Sequence, residues 1–339
     1  MKKAMVRAAA LCLLCAVLLC GCAKLGGPEL INVSYDPTRE FYEAYNALFI
    51  DYWHEQTGRH LEVIQSHGGS GAQALNVSQG LPADVVTLAL EADVQAIADE
   101  GLIDPGWIDE FPNDSAPYTS TIVFLVHQGN PKQIRDWDDL TRADVGVITP
   151  NPKTSGGARW NFLAAWAYAE NLYSGNEKQV WDFIEGIYKN VLVLDSGARG
   201  STTSFVENGQ GDVLITWENE GYLAMEEYPG EYEMVTPSVS ILCQPSVAIV
   251  DEVVKVNGTR RLATAYLSYL YSDEAQHLAA EHYYRPSNEA ILQQYGDRFD
   301  LNMELVTIDH FGGWAAAQEK YFADEGVFDL IYEYMEPED

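Results

Sequence analysis

Residues 147–161 read VITPNPKTSGGARWN, in which an apolar run, a turn rich in Gly and Ser and the start of an amphipathic segment follow one another. The run from Val145 to Thr149 predicts a β-strand, and the residues after the turn are typical of a helix. A helix begins with unpaired backbone N–H groups and a partial positive charge, and glycine lets the backbone approach a ligand closely. The stretch therefore predicts an α/β protein with an anion-binding turn between a strand and a helix.

Four further turns place small, polar or aromatic residues between a predicted strand and a predicted helix. Each turn alone is explained equally well as an ordinary strand-to-helix connection. Five such turns in one cleft would trap an anion. The five are Ser34-Tyr35-Asp36-Pro37-Thr38, Ser66-His67-Gly68-Gly69-Ser70-Gly71, Lys153-Thr154-Ser155-Gly156-Gly157, Asp195-Ser196-Gly197-Ala198-Arg199-Gly200 and Trp217-Glu218-Asn219.

Short apolar runs alternate with amphipathic segments along the chain, which indicates an α/β fold with largely parallel sheets. The runs fall in two series, and the run at Val247–Val250 resembles those of the first series. We therefore expect two α/β lobes, with a ligand in the cleft where strand ends meet. The first series comprises Leu30–Ser34, His60–Gln65 and Asp84–Leu90, and the second comprises Thr121–Val126, Val145–Thr149, Val191–Leu194 and Val213–Thr216.

The composition supports globular domains and excludes two classes of partner. Of 339 residues, 47% are apolar and 12% are aromatic, which is enough to build two hydrophobic cores. Acidic residues number 51 against 20 basic residues, which gives a formal net charge of −31 at pH 7. Such a chain repels phosphate backbones and anionic lipid headgroups, so we expect neither a nucleic-acid partner nor electrostatic membrane binding.

The first 21 residues have the pattern of an export signal peptide. Three basic residues precede an apolar run from Ala8 to Leu19, which is too short to span a bilayer. The ending Leu19-Cys20-Gly21-Cys22 resembles a bacterial lipobox, which predicts cleavage before Cys22, a lipid on that residue and a linker at 22–28; ordinary cleavage nearby is the alternative. We expect an extracytoplasmic, lipid-anchored protein, in which Cys243 has no disulfide partner.

Seven stretches of the sequence resemble the sulfate-binding proteins of bacterial ABC importers. Their combination is more specific than a single glycine motif, and the similarity runs from about Leu30 to Tyr332. The stretches are NVSYDPTRE at 32–40, QSHGGSG at 65–71, SAPYTST at 115–121, VITPNPKTSGGARWN at 147–161, VLDSGARGST at 193–202, GDVLITWENE at 211–220 and FGGW at 311–314.

The resemblance implies a two-lobed periplasmic-binding-protein fold of type II, in which two strands cross between the lobes and the ligand lies in the inter-lobe cleft. Lobe one would comprise residues 29–115 plus 240–290, and lobe two residues 119–238. The helices of residues 291–339 would pack back on the lobes. The crossings would fall near Ala116–Tyr118 and Ser238–Ser240, close to Pro117 and Pro237.

The resemblance also implies how the anion is held. Hydrogen bonds alone would bind a dehydrated sulfate, with no cofactor, no metal and no cationic side chain paired to the anion. Arg159 and Arg199 would instead bond to nearby carbonyl groups. The implied donors are the backbone N–H groups of Asp36, Ser70, Gly156, Gly157 and Ala198, the Ser155 hydroxyl and the Trp217 indole N–H.

The implied function is that of a monomeric solute-binding protein, not an enzyme. It would deliver sulfate to the membrane permease subunits of an ABC importer driven by a cytoplasmic ATPase. Thiosulfate or another tetrahedral oxyanion is the alternative ligand. Because the implied donors are shared between the two lobes, ligand binding would draw the lobes together.

A serine hydrolase is the competing class of function. His67, Ser70 and Asp84 supply the residue types of a catalytic triad, but the sequence contains no G-x-S-x-G elbow. The seven histidines show none of the spacings typical of a zinc site, so we expect no metal. Two site residues have simpler explanations: Asp36 before Pro37 fits a helix N-cap, and Trp217 fits a core aromatic residue.

Overall fold

The computed structural model describes residues 27–335, so the predicted signal peptide at 1–21 and the predicted lipid site Cys22 lie outside the described residues. Within 27–335, no helix has the length and apolar character needed to cross a membrane. The strands are β1 (Glu29–Tyr35), β2 (Glu62–Gly68), β3 (Val85–Leu88), β4 (Tyr118–Thr119), β5 (Ile122–His127), β6 (Val147–Pro150), β7 (Val191–Asp195), β8 (Val213–Trp217), β9 (Tyr232–Val235), β10 (Val239–Ile241), β11 (Ser246–Ile249), β12 (Arg285–Pro286) and β13 (Glu304–Val306).

Helices flank these strands. The α-helices are α1 (Arg39–Thr57), α2 (Ser70–Ser78), α3 (Glu91–Asp99), α4 (Gly156–Leu172), α5 (Glu177–Tyr188), α6 (Ala198–Thr202), α7 (Glu218–Glu227), α8 (Asp251–Asn257), α9 (Arg260–Tyr269), α10 (Asp273–Glu281), α11 (Glu289–Leu292), α12 (Gly313–Ala317) and α13 (Val327–Met335). Shorter 3₁₀ or π segments include Asp36–Thr38, Trp137–Thr141, Thr203–Glu207, Ile308–Phe311 and Gln318–Phe322.

Two mixed sheets form the centres of two lobes. The first sheet has the order β11-β3-β1-β2, in which β1 runs parallel to β2 and β3. The second has the order β7-β6-β8-β5-β9, in which β6 runs parallel to β7 and β8. The prediction of two α/β lobes is confirmed, and we call the part around the first sheet lobe one and the part around the second sheet lobe two.

The expectation of largely parallel sheets is only partly right, because β5, β9 and β11 run antiparallel to their neighbours. Where the chain crosses from one sheet to the other, it enters the new sheet beside the C-terminal ends of the parallel strands. β5 therefore begins at Ile122 opposite Trp217, the last residue of β8, and β11 begins at Ser246 opposite Leu88, the last residue of β3. An apolar run is the same in either strand direction, so the sequence contains no signal for this reversal.

The two connections between the sheets run side by side. Ser120 and Cys243 exchange two backbone hydrogen bonds, of 3.0 and 2.9 Å, between the connections. Cys243 is buried and carries a free thiol, as the sequence predicts. Burial raises the pKa of this thiol well above its ordinary value, which keeps the sulfur protonated and unreactive.

Helix α1 packs a row of aromatic side chains into lobe one. The sequence predicts this helix from the spacing of Phe41, Tyr45, Leu48 and Tyr52. The structure confirms the helix but buries Phe41, Tyr45 and Phe49, and leaves Leu48 and Tyr52 half-buried. The Phe49 ring packs edge-on against an aromatic ring of α9, a contact that the pattern within α1 does not reveal.

Residues 308–331 pack on lobe two. The Trp314 ring lies edge-on to Trp160, with ring centroids 4.6 Å apart, and the Tyr321 ring lies edge-on to Trp166, with centroids 4.9 Å apart. All four rings belong to the hydrophobic cluster of lobe two or pack against it. The C-terminal segment therefore completes the core of lobe two.

The same segment supports the turn that follows β6. The Lys153 ammonium donates hydrogen bonds to the carbonyl oxygens of Phe322 at 3.1 Å and Ala323 at 3.3 Å, and it pairs with Asp329 at 2.9 Å. These partners lie between 169 and 176 residues later in the chain, so the sequence shows Lys153 only as a turn residue.

A buried salt bridge joins the lobes near the connections. The Arg285 guanidinium on β12 donates two hydrogen bonds to the Glu218 carboxylate at the start of α7, at 2.8 and 2.9 Å. The two side chains are only 5% and 2% exposed. Neither charge has access to water, so each depends on the other.

Replacing Glu218 with Leu is expected to lower the free energy of unfolding by about 3–5 kcal/mol, because Arg285 then remains buried, charged and unpaired. Urea unfolding measures the change. Asp182→Asn is the control, since its salt bridge with Lys178 is largely exposed and its loss costs less than about 1 kcal/mol. An equal loss in the two variants would contradict this assignment.

Candidate anion-binding site

Four of the five predicted turns meet in one small cavity between the lobes. Six of the seven predicted donor residues line it, and the seventh, Trp217, lies directly beside it. The lining residues are Tyr35, Asp36, Pro37, Gly68, Gly69, Ser70, Ser155, Gly156, Gly157 and Ala198.

Lobe one contributes two helix starts to the cavity. Asp36 is the first residue of the Asp36–Thr38 segment that leads into α1, and Ser70 is the first residue of α2. No side chain caps either start, so the first N–H groups beside the cavity have no side-chain partner. Gly69 permits the approach of lobe two, because a Cβ at this position would lie 2.7 Å from the carbonyl oxygen of Thr154 and 2.8 Å from that of Ser196.

Lobe two contributes the starts of α4 and α6. The Ser155 side chain caps α4 by accepting a hydrogen bond from the Ala158 N–H at 3.3 Å. This cap leaves the N–H groups of Gly156 and Gly157 and the Ser155 hydroxyl proton available to a ligand. Ala198 begins α6 after a glycine that offers no side-chain cap.

Trp217 brings a side-chain donor to the same place. Its indole Nε1 is buried and has no hydrogen-bond partner within residues 27–335. The ring packs against Tyr35, with ring centroids 5.4 Å apart, and Nε1 lies so close to the Gly157 Cα that a Cβ there would collide with it. A buried N–H without an acceptor is costly, and this indole N–H is free to donate to a ligand in the cavity.

The explanation of Asp36 as a helix N-cap is wrong. Tyr35 occupies the cap position, and the Asp36 carboxylate accepts a hydrogen bond from Arg39, one turn later, at 3.4 Å. Burial raises the pKa of this carboxyl, and the nearby Arg39 and Arg199 partly offset the effect. Of the polar groups of Asp36, only the backbone N–H remains as a donor.

The two arginines beside the cavity pair with carboxylates across the lobes. Arg159 donates to the carbonyl oxygen of Pro152 at 2.9 Å, as expected, but also pairs with Asp93 at 2.7 Å. The carboxylate of Asp93 also accepts from the Ser70 hydroxyl at 2.5 Å. Arg159 and Asp93 are both buried, so their charges neutralise each other away from the cavity.

Among the described residues, the partners of Arg199 are carboxylates and not carbonyl groups, which corrects that expectation. Its guanidinium donates two hydrogen bonds to Glu40 in lobe one, at 2.9 and 2.8 Å, and one to Glu220 at 2.9 Å. Burial alone would raise the pKa of Glu40, but the hydrogen bond from Arg199 holds it below its ordinary value. Sequence reasoning missed Glu40, Asp93 and Glu220, because acidic residues are too frequent in this chain to mark a site.

The three residue types of a catalytic triad do not assemble. Ser70 donates its hydroxyl to Asp93, and His67 contacts the carbonyl oxygen of Tyr35 at 3.3 Å. Burial lowers the pKa of His67 to about 4, so the ring is neutral. Asp84 lies before β3, at the end opposite to Ser70, where it accepts a hydrogen bond from Thr259 at 2.5 Å. Residues 27–335 also contain no cluster of side chains suited to a metal ion.

Comparisons with known proteins agree with this geometry. Residues 38–285 match the model of a family described as bacterial extracellular solute-binding proteins. A sulfate-binding protein of Escherichia coli strain K12 is 57% identical over 305 residues, which cover 89% of this chain and 92% of that protein. A thiosulfate-binding protein of Pseudomonas aeruginosa is 46% identical over 323 residues, which cover 94% and 97% of the two chains.

A solved structure shows the same architecture. The sulfate-binding protein SubI from Mycobacterium tuberculosis H37Rv superposes with a TM-score of 0.77 at 32% sequence identity. The match covers 86% of this chain and 98% of that chain. The relatives are binding proteins rather than enzymes.

Proposed function

Because the chain belongs to the family of bacterial extracellular solute-binding proteins, which act outside the cytoplasm, we propose that it captures sulfate in the cavity between the lobes. It then delivers sulfate to the membrane permease subunits of an ABC importer powered by a cytoplasmic ATPase. The observation that carries this proposal is the buried Trp217 indole N–H, which has no partner within residues 27–335 and lies beside four helix starts that line one small cavity.

The chemistry of the cavity matches a fully deprotonated oxyanion. Each of the seven proposed contacts donates a hydrogen atom to the ligand: the backbone N–H groups of five residues, a hydroxyl and an indole. Near neutral pH, sulfate is a dianion whose oxygens only accept hydrogen bonds. Charge-assisted hydrogen bonds are about twice as strong as neutral ones, and partial charges at the helix starts add to them. Arg159 and Arg199 are already neutralised by carboxylates, so neither needs to pair with the ligand.

Because the proposed donors are divided between the lobes, ligand binding favours closure of the cleft. Asp36 and Ser70 belong to lobe one, and the other five donor residues belong to lobe two. We infer lobe limits of 29–115 plus 240–290 and of 119–238, which the division of strands between the two sheets supports. A ligand bonded to both lobes stabilises the closed arrangement, so closure is a ligand-driven shift of population.

Thiosulfate is the second candidate ligand, since one of the similar proteins is named as a thiosulfate-binding protein. Its terminal sulfur is a weaker acceptor than the oxygen it replaces, and it would face one of the same donors. Titration with both anions separates the two candidates.

The lipid anchor is part of the proposal. Cys22 precedes β1 by seven residues, so an acyl chain there would hold the protein at the membrane without reaching the cavity. The protein acts as a monomer and contacts the membrane through the lipid on Cys22.

Trp217→Phe is expected to weaken sulfate binding by roughly 10- to 100-fold, because a hydrogen bond to a charged group contributes about 1.5–3 kcal/mol. Isothermal titration measures the dissociation constant. Trp137→Phe is the matched control, since this indole is also buried but donates at 2.9 Å to the carbonyl oxygen of Val239. An unchanged constant for Trp217→Phe would show that Trp217 only packs.

Hydrogen phosphate is expected to bind at least about a hundredfold more weakly than sulfate. Its proton would face a buried donor that then loses its own hydrogen bond, at a cost of a few kcal/mol. Titration with both anions between about pH 5 and pH 8, at constant ionic strength, tests this selectivity. Phosphate binding within tenfold of sulfate would show that the cavity contains an acceptor.

Cys22→Ala is expected to release soluble protein from the membrane fraction while sulfate affinity stays unchanged, because Cys22 precedes both proposed lobes in the sequence and is not one of the proposed donors. Fractionation of cells followed by titration of the released protein measures both properties. If the variant stayed in the membrane fraction, the anchor would have to lie elsewhere.

A further inference from the structure

Two side chains of lobe two hold backbone carbonyl groups of lobe one in the closed arrangement. The Trp160 indole Nε1 on α4 donates to the Ala89 carbonyl oxygen at 2.9 Å. The Asn219 side-chain Nδ2 on α7 donates to the Pro37 carbonyl oxygen at 3.1 Å. We call these two contacts the carbonyl clasps.

Both clasps are buried. Trp160, Ala89 and Asn219 have no exposed surface, and Pro37 is buried. The Pro37 oxygen accepts a second hydrogen bond from the Tyr284 hydroxyl at 2.8 Å, and Asn219 Nδ2 also donates to that hydroxyl at 3.1 Å, while Asn219 Oδ1 has no partner within residues 27–335. Breaking either donor bond in such a buried network leaves a carbonyl oxygen with fewer partners.

Each clasp lies next to the proposed donors without being one of them. Ala89 donates its N–H to the Ser70 hydroxyl at 2.9 Å, and Pro37 directly follows Asp36. On the other lobe, Trp160 follows Gly157 by three residues and Asn219 follows Trp217 by two. Each clasp therefore ties a lobe-one donor turn to a lobe-two donor turn.

We propose that Trp160 and Asn219 are positioning residues that stabilise the closed form of the protein and set how slowly it releases its ligand. When the lobes separate, the clasp donors and carbonyl oxygens exchange their mutual hydrogen bonds for bonds to water. The net preference for the closed form is therefore modest for each clasp. Since neither side chain lines the cavity, the clasps act equally on every anion that the closed form accepts.

This proposal rests on the proposed function only in the choice of ligand. Trp160→Phe keeps most of the ring beside Trp314, and Asn219→Leu keeps the branching at Cγ and the number of side-chain heavy atoms, but both remove the donor. Each is expected to raise the sulfate dissociation rate about three- to tenfold in stopped-flow displacement, with little change in the association rate. The ratio of sulfate to thiosulfate affinity stays as in the wild type, and the double variant multiplies the two effects.

Matched controls remove a similar hydrogen bond inside one lobe. Trp107 is buried and donates to the Gln95 side chain at 3.1 Å within lobe one, and Asn161 is buried and donates to the Ile215 carbonyl oxygen at 3.0 Å within lobe two. Trp107→Phe and Asn161→Leu are expected to lower stability without changing the dissociation rate. Unchanged release in the clasp variants, or an equal change in the controls, would overturn the proposal, as would an altered anion ratio.

A wild-type protein that fails to bind sulfate would contradict the proposed function, and the clasps are then tested with thiosulfate, the second candidate ligand. Trp160→Phe and Asn219→Leu are expected to release thiosulfate about three- to tenfold faster than the wild type, whereas Trp107→Phe and Asn161→Leu release it at the wild-type rate. Unchanged thiosulfate release in the clasp variants would overturn the proposal.

Discussion

The proposed site depends on backbone N–H groups at helix starts, which have no hydrogen-bond partner within their own helices. The first amides of a helix always lack intrahelical partners, and most proteins cap them with side chains. Here, glycines precede two of the helices, and Ser155 caps only the third amide of α4. We propose that the remaining donors face one another across the cleft and bond there to an acceptor from outside the protein.

That constraint explains where the charged groups lie. A cation placed in the cavity would bind an anion by itself and reduce the need for both lobes. The cationic side chains at the cleft, Arg159 and Arg199, are instead bonded to carboxylates of the opposite lobe. They add attraction between the lobes but leave the ligand to the neutral donors. The partial positive charges at the helix starts thus favour an anion in the cavity, although the molecule as a whole is negatively charged.

The sequence predicted most of the fold and the positions around the cavity, and the failures have physical causes. Gly156, Gly157 and Ala198 lie where a strand ends and a helix starts, and this local pattern is visible in one stretch of chain. The direction of β5 and the burial of Phe49 depend on distant neighbours. The inter-lobe partner of Arg199, Glu40, lies 159 residues earlier, and nothing near either residue indicates the pairing.

The contacts of Lys153 with residues far along the chain affect the order in which the molecule can fold. Its partners Phe322, Ala323 and Asp329 emerge late in synthesis, although the turn they support belongs to the middle of the chain. A growing polypeptide that has passed residue 217 contains every proposed donor, yet it lacks the segment that braces the Ser155 turn. Completion of the proposed binding surface is therefore tied to translation of residues 322–329, because a shorter chain carries an incompletely braced turn.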